Sequence, residues 1–153
     1  MGWPICLGVS SKNIPAVTSS VIISSGASFP KLDKAFMSKI HEDKIDFLYL
    51  LKCLGSLFNP IVQKALALTD PFQIIINDFL VDEYINVESQ LENISTPPYV
   101  IVGGDEILTL VEYSKLIVHK VTDSKLIVVP QIRHIFPLVK ATYISRLVKD
   151  FIK

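Results

Sequence analysis

Three residues stand where apolar runs give way to loops, and their types suit proton transfer. The stretch VIVGGDEILT carries Asp105 and Glu106 directly after one apolar run, and LIVVPQIRHIFP carries His134 directly after the next. If both runs are parallel strands, all three residues lie beyond the carboxyl ends of the strands, where open parallel sheets bind ligands. A carboxylate on one loop then reaches an imidazole on the other, holds its tautomer and stabilises its charged form, as a general base requires. A plainer reading fits the same residues. Carboxylates after a strand are commonly solvated or cap the next helix, and a lone loop histidine is commonly inert. Spacing alone leaves both readings open.

The elements that must position these residues can be read from the rest of the chain. WPICLGVSSKN reads as a short helix beginning near Pro4, a favourable first-turn residue. VTSSVIISS is a β-branched run and the expected first strand. Over residues 31–95 the pattern turns helical: KLDKAFMSKIHEDK, IDFLYLLKCLGSLF and PIVQKALALTD are separated at Asn59-Pro60 and Asp70-Pro71. FQIIINDFLVDEYI is ambiguous by period and is read as helix. PYVIVGG is a continuous apolar run, as in a strand buried on both faces. TLVEYSKLIVHKV then reads as a helix with Tyr113, Leu116 and Ile117 on one face, and KLIVVP as the third strand. A last helix carries Ile144, Leu147, Val148, Phe151 and Ile152 along one face. Alternation of strand and helix of this kind argues for an α/β architecture with parallel strands.

Composition narrows the function classes. The chain has 153 residues, half of them apolar, with 15 basic and 15 acidic residues and a formal net charge of zero. Its mean hydropathy is +0.44, high for one soluble domain, as expected of a chain buried on several faces or lacking a partner. No basic stripe is present to neutralise phosphates, so nucleic acid is not an expected partner. No apolar run approaches the roughly 20 residues of a membrane span. The start, MGWPICLG, resembles neither a secretory signal nor a myristoylation site, since Cys6 stands where Ser or Thr is required. Cys6 and Cys53 lack metal spacing and are read as reduced, buried thiols of a cytoplasmic protein. His41 and His119 form no ligand pair, so no metal is expected. VGGDE has two glycines after a strand but neither the dinucleotide fingerprint nor a P-loop lysine, and no cofactor is expected.

The segment PPYVIVGGDEILTLVEYSKLIVHKVTDSKLIVVPQIRHIFPLV resembles the last third of α/β-hydrolases of the esterase and lipase type. In that family a strand ends in Gly-x-x-Asp, a Leu-Thr-Pro-like turn and a helix come next, and a further strand leads to the catalytic histidine. Gly103 matches the glycine, which puts Glu106 at the acid position with Asp105 just before it. Leu108 and Thr109 match the turn, with Leu110 in place of proline. His134 matches the catalytic histidine and Pro130 the preceding proline, while Arg133 stands where glycine is usual. DPFQIIINDFLVDEYINVESQLENISTPPYVIVGG is similar to the passage from the family's lid back into its core. At the other end, MGWPICLGVSSKNIPAVTSSVIISSGAS is similar to the helix and strand that come after the nucleophile. Met1 and Gly2 match the last two positions of the Gly-x-Ser-x-Gly elbow.

The resemblance implies the C-terminal part of an α/β-hydrolase fold: about three parallel strands with flanking helices and a helical lid. Residues 1–28 would be the post-nucleophile helix and strand, 29–96 the lid insertion, and 97–153 the core bearing the acid and histidine loops. It implies His134 as general base, Glu106 or Asp105 as the acid that orients it, and the backbone N–H of Met1 as an oxyanion-hole donor. The implied substrate is a small carboxylic ester with an apolar part, given Phe47, Leu48, Leu50, Leu51 and Leu57 in the lid, although simple core packing explains those residues too. No Gly-x-Ser-x-Gly occurs within the 153 residues, so the chain alone is expected to be inactive. An aspartate nucleophile upstream would instead imply a dehalogenase or epoxide hydrolase. The unpaired edge of the first strand is expected to make the chain associate with itself or with a polypeptide carrying the N-terminal half. The alternative is a non-catalytic remnant or binding module, with which Arg133, Glu106 and Leu110 are also consistent.

Overall fold

The structure, a computed structural model, describes residues 3–54 and 71–152. Met1, Gly2 and the expected helix PIVQKALALTD lie outside the described residues. The elements run α1 (Trp3–Ser10), β1 (Ser20–Ile23), α2 (Lys34–His41), α3 (Phe47–Leu54), α4 (Pro71–Tyr84), a 3₁₀ segment (Glu88–Asn93), β2 (Pro98–Gly103), α5 (Val111–Lys120), β3 (Lys125–Val129), α6 (Phe136–Val139) and α7 (Ala141–Phe151).

Local chemistry explains several boundaries. Asp33 caps α2, its carboxylate accepting from the Phe36 N–H at 2.7 Å. Asp46 does the same for α3 by accepting from the Tyr49 N–H at 3.0 Å. Proline at the first position suits the start of α4, because its missing N–H would have no partner within the helix. The ambiguous run FQIIINDFLVDEYI is helical. β1 covers only four residues of the β-branched run because Ser24 turns into the left-handed region, with φ of 47°.

The three strands form one parallel sheet in the order β1-β2-β3. Val21 lies beside Tyr99, and Tyr99 beside Lys125. β2 is buried along its whole length, which explains its unbroken apolar sequence. Alternate residues feed two cores. On one face Ile22 and Val100 pack with Leu7 of α1, Leu91 and Ile94, and Ile117 and Val121. On the other, Tyr99, Ile101 and Val129 pack with Phe136 and Ile144, and Tyr99 stacks on Phe151 at 4.7 Å. Ile144, Leu147, Val148 and Phe151 of α7 face this core. Ile152, expected on the same face, is 59% exposed, because the helix ends at Phe151 and the face ends with it. α2 and α4 form a third cluster, in which Phe36, Met37, Ile40 and Ile76 are buried. The helices between β1 and β2 thus carry a core of their own, beside the carboxyl ends of the strands. Among the described residues no helix is long and apolar enough to cross a membrane.

Candidate active site

The acid loop and the histidine loop are tied together by their backbones. At the end of β2 the Gly104 N–H donates to the Val129 carbonyl at 2.7 Å, and the Asp105 N–H donates to the Ile132 carbonyl at 3.0 Å. Gly103 makes this approach possible: a Cβ there would sit 2.5 Å from the Ile132 oxygen, inside any tolerable contact. Gln131, with φ of 55°, takes the left-handed conformation that turns the chain after β3.

This clamp brings Glu106 to His134. Oε1 of Glu106 lies 3.2 Å from Nδ1 of His134, and the Glu106 side chain is fully buried while that of His134 is 29% exposed. The neighbouring Asp105 is exposed and its backbone, rather than its carboxylate, takes part in the loop contact. Glu106 Oε1 also accepts the Ser24 hydroxyl at 2.6 Å. Glu106 Oε2 is buried with no hydrogen-bond partner among the described residues, which costs on the order of 1–3 kcal/mol. Thr109 offers Nδ1 of His134 a weaker second neighbour, its hydroxyl 3.4 Å away.

His134 opens onto a cavity of about 190 Å³. Its walls come from three directions: Ser24, Phe29 and Leu32 after β1, Leu108 and Thr109 after β2, and Leu50 with one face of α4. That face is Ile75, Asp78, Phe79 and Asp82, spaced i, i+3, i+4, i+7. Burial pushes the Asp82 carboxyl up to about 6, and nearby Asp78 adds to the effect while His134 opposes it. Of the apolar residues expected to meet substrate, Leu50 lines the cavity. Leu51 is buried, Leu48 is 74% exposed, and Leu57 lies outside the described residues. Arg133, which replaces a glycine of the family pattern, donates from Nη1 to the Lys52 carbonyl at 2.5 Å and so fastens α3 to the histidine loop.

The sequence reading singled out Glu106, Asp105 and His134, and the structure brings the first and last together. It did not single out Ser24, Asp78, Asp82 or a polar role for Thr109. The signal for Ser24 was available, since the strand-end logic applied to β2 and β3 applies equally to β1. Met1 lies outside the described residues. His41 pairs with Glu83 at 2.9 Å, joining α2 to α4. Among the described residues no group of three or more His, Cys, Asp or Glu side chains could hold a metal ion.

No protein-family model and no curated protein matches the chain. Solved structures do. The chain is similar to a lipase-esterase related protein from Clostridium acetobutylicum ATCC 824, with 39% identity and a TM-score of 0.91 over 97% of this chain and 61% of that one. It is similar in fold to a thermophilic esterase, with 19% identity, a TM-score of 0.79 and the same two coverages. An alpha/beta hydrolase enzyme from a Medee basin deep-sea metagenome library matches at 18% identity and a TM-score of 0.73, again over 97% of this chain and 61% of that one. The chain thus spans less than two thirds of the length of each. Over 97% of its length the chain is similar to these esterase, lipase-related and α/β-hydrolase structures, and it has the architecture of the C-terminal part of the α/β-hydrolase fold.

Proposed function

We propose that this chain supplies the acid–base half of a serine hydrolase acting on small carboxylic esters. His134 is the general base and Glu106 holds its tautomer. The observation that carries this reading is the 3.2 Å approach of a fully buried Glu106 to a histidine that faces a cavity. Nδ1–H donated to Glu106 leaves Nε2 free to take a proton from a nucleophile. The cavity walls, Phe29, Leu32, Leu50, Ile75, Phe79 and Leu108, suit an apolar acyl or alcohol group. Helices α3 and α4, which line that cavity, act as its lid, with α2 packed against α4. The 153 residues contain no Gly-x-Ser-x-Gly, so in this reading the nucleophile is supplied by a further polypeptide segment. The chain by itself is inactive, because acid–base help cannot stand in for a nucleophile.

The edge of β1, unpaired among the described residues, and the exposed Ile5, Val9 and Ile14 favour pairing with a polypeptide that carries the N-terminal half of the fold or with a second copy of the chain. Both cysteines are free, which suits a reducing, cytoplasmic setting.

The test is hydrolysis of p-nitrophenyl butyrate by the purified chain, alone and with the polypeptide encoded directly upstream of the Met1 codon. The expected result is no turnover alone and turnover when completed, lost on the order of 10²–10⁴-fold in His134→Ala. Turnover by the chain alone, or a completed enzyme indifferent to His134→Ala, overturns the proposal. Absence of turnover in both the chain alone and the completed pair also overturns it, and a non-catalytic remnant or binding role then stands in its place.

A further inference from the structure

Ser24 has no part in the acid–base pair itself, yet it is built into the same hydrogen-bond system. It comes directly after β1 and still pairs with the sheet, its N–H donating to the Ile101 carbonyl at 2.8 Å. It then takes φ of 47°, a conformation that a serine adopts only when its surroundings impose it. Its side chain is buried and its hydroxyl reaches across to the next loop, 82 positions away in sequence, to donate to Glu106 Oε1 at 2.6 Å. That oxygen is the one facing Nδ1 of His134.

Glutamate is one methylene longer than aspartate and has one more torsion to fix before its carboxylate can meet an imidazole. A fully buried carboxylate also needs donors in place of water. We propose that Ser24 is the positioning residue for Glu106: its hydroxyl pins Oε1 opposite Nδ1 of His134 and thereby keeps the imidazole in its Nδ1–H tautomer. This rests on the reading of Glu106 and His134 as the acid–base pair. The competing partner is Thr109. Its hydroxyl can donate to an unprotonated Nδ1, which moves the proton to Nε2 and leaves the ring unable to act as a base there. Ser24 decides between the two by holding Glu106 in place.

The experiment is long-range ¹H–¹⁵N NMR of the imidazole nitrogens in the ¹⁵N-labelled 153-residue chain at pH 8.5, comparing Ser24→Ala, Ser24→Gly and Glu106→Gln. Glycine accepts the left-handed backbone without a Cβ penalty, so Ser24→Gly retains the fold if Ser24→Ala does not. The wild-type ring of His134 is expected to be protonated at Nδ1. Both Ser24 variants are expected to shift the tautomer ratio toward Nε2–H on the order of tenfold, the worth of one hydrogen bond to a charged group. Glu106→Gln is expected to invert the ratio, because the new amide can donate to Nδ1. Ser24 variants that stay within about twofold of wild type while Glu106→Gln inverts the ratio would overturn the role of Ser24 alone. If Glu106→Gln also leaves the ratio unchanged, the Glu106–His134 pair falls and the proposal for Ser24 falls with it.

Discussion

Gly103→Ala tests whether the two strand-end loops are held as tightly as the geometry requires. The added Cβ would lie 2.5 Å from the Ile132 carbonyl oxygen, 3.1 Å from the Ile132 carbonyl carbon and 3.4 Å from the Arg133 oxygen. All three are backbone atoms, so no side chain can swing aside, and the loop must open by roughly 0.9 Å to reach ordinary contact. Opening strains the Gly104-to-Val129 and Asp105-to-Ile132 hydrogen bonds, now 2.7 and 3.0 Å. Overpacking costs about 1–3 kcal/mol and each weakened bond up to about 1 kcal/mol. The expected loss is therefore about 2–4 kcal/mol, and with a urea m-value of about 2 kcal/mol/M the unfolding midpoint falls by about 1–2 M. Gly8→Ala is the control. That glycine lies inside α1, where a Cβ meets nothing nearer than Gln90 at 3.9 Å, and the change should stabilise by up to about 1 kcal/mol. Urea titrations of both variants at one fixed protein concentration decide the matter. A Gly103→Ala midpoint within about 0.3 M of wild type would refute the clamp.

Asp82 makes stability depend on pH. Its carboxyl titrates near 3.8 when unfolded and at about 6 when folded, so the stability that its neutral form contributes is complete below about pH 4 and lost as pH rises through 6. Discounted for the half-exposed position, that loss is about 1 kcal/mol. Denaturant titrations at pH 4 and pH 7.5 should show it in wild type and not in Asp82→Asn, and an equal decline in both would remove Asp82 as its cause. The edge of β1, unpaired among the described residues, predicts association: size-exclusion chromatography with light scattering should give a mass above 17.1 kDa, and a monodisperse monomer would contradict it.

The strands and most helices were legible because their burial is recorded in local pattern. PYVIVGG is apolar throughout because β2 is covered on both faces. Strand-end logic drew attention to Glu106 and His134, which the fold sets 3.2 Å apart. It could not separate Glu106 from Asp105, since which of two adjacent carboxylates turns inward depends on the contact of the loop with Ile132. Strand-end logic could have pointed to Ser24, but not to its partner, which is 82 positions away and is reached only because Ser24 takes a left-handed φ. Asp78 and Asp82 have the look of a solvated helix face, and only the placement of α4 over His134 brings them to the cavity. Ile152 continues the apolar stripe of α7 in sequence, but the helix stops one residue short of it.

The central claim is that Glu106, and not its neighbour, orients His134. The most direct measurement is kcat for p-nitrophenyl butyrate of the completed enzyme carrying either Glu106→Gln or Asp105→Asn. The expected result is a fall on the order of 10²-fold or more for Glu106→Gln, whose amide would favour the wrong imidazole tautomer, and a rate within about twofold of wild type for the exposed Asp105→Asn. Equal rates for wild type and Glu106→Gln, or a collapse in Asp105→Asn alone, would contradict it.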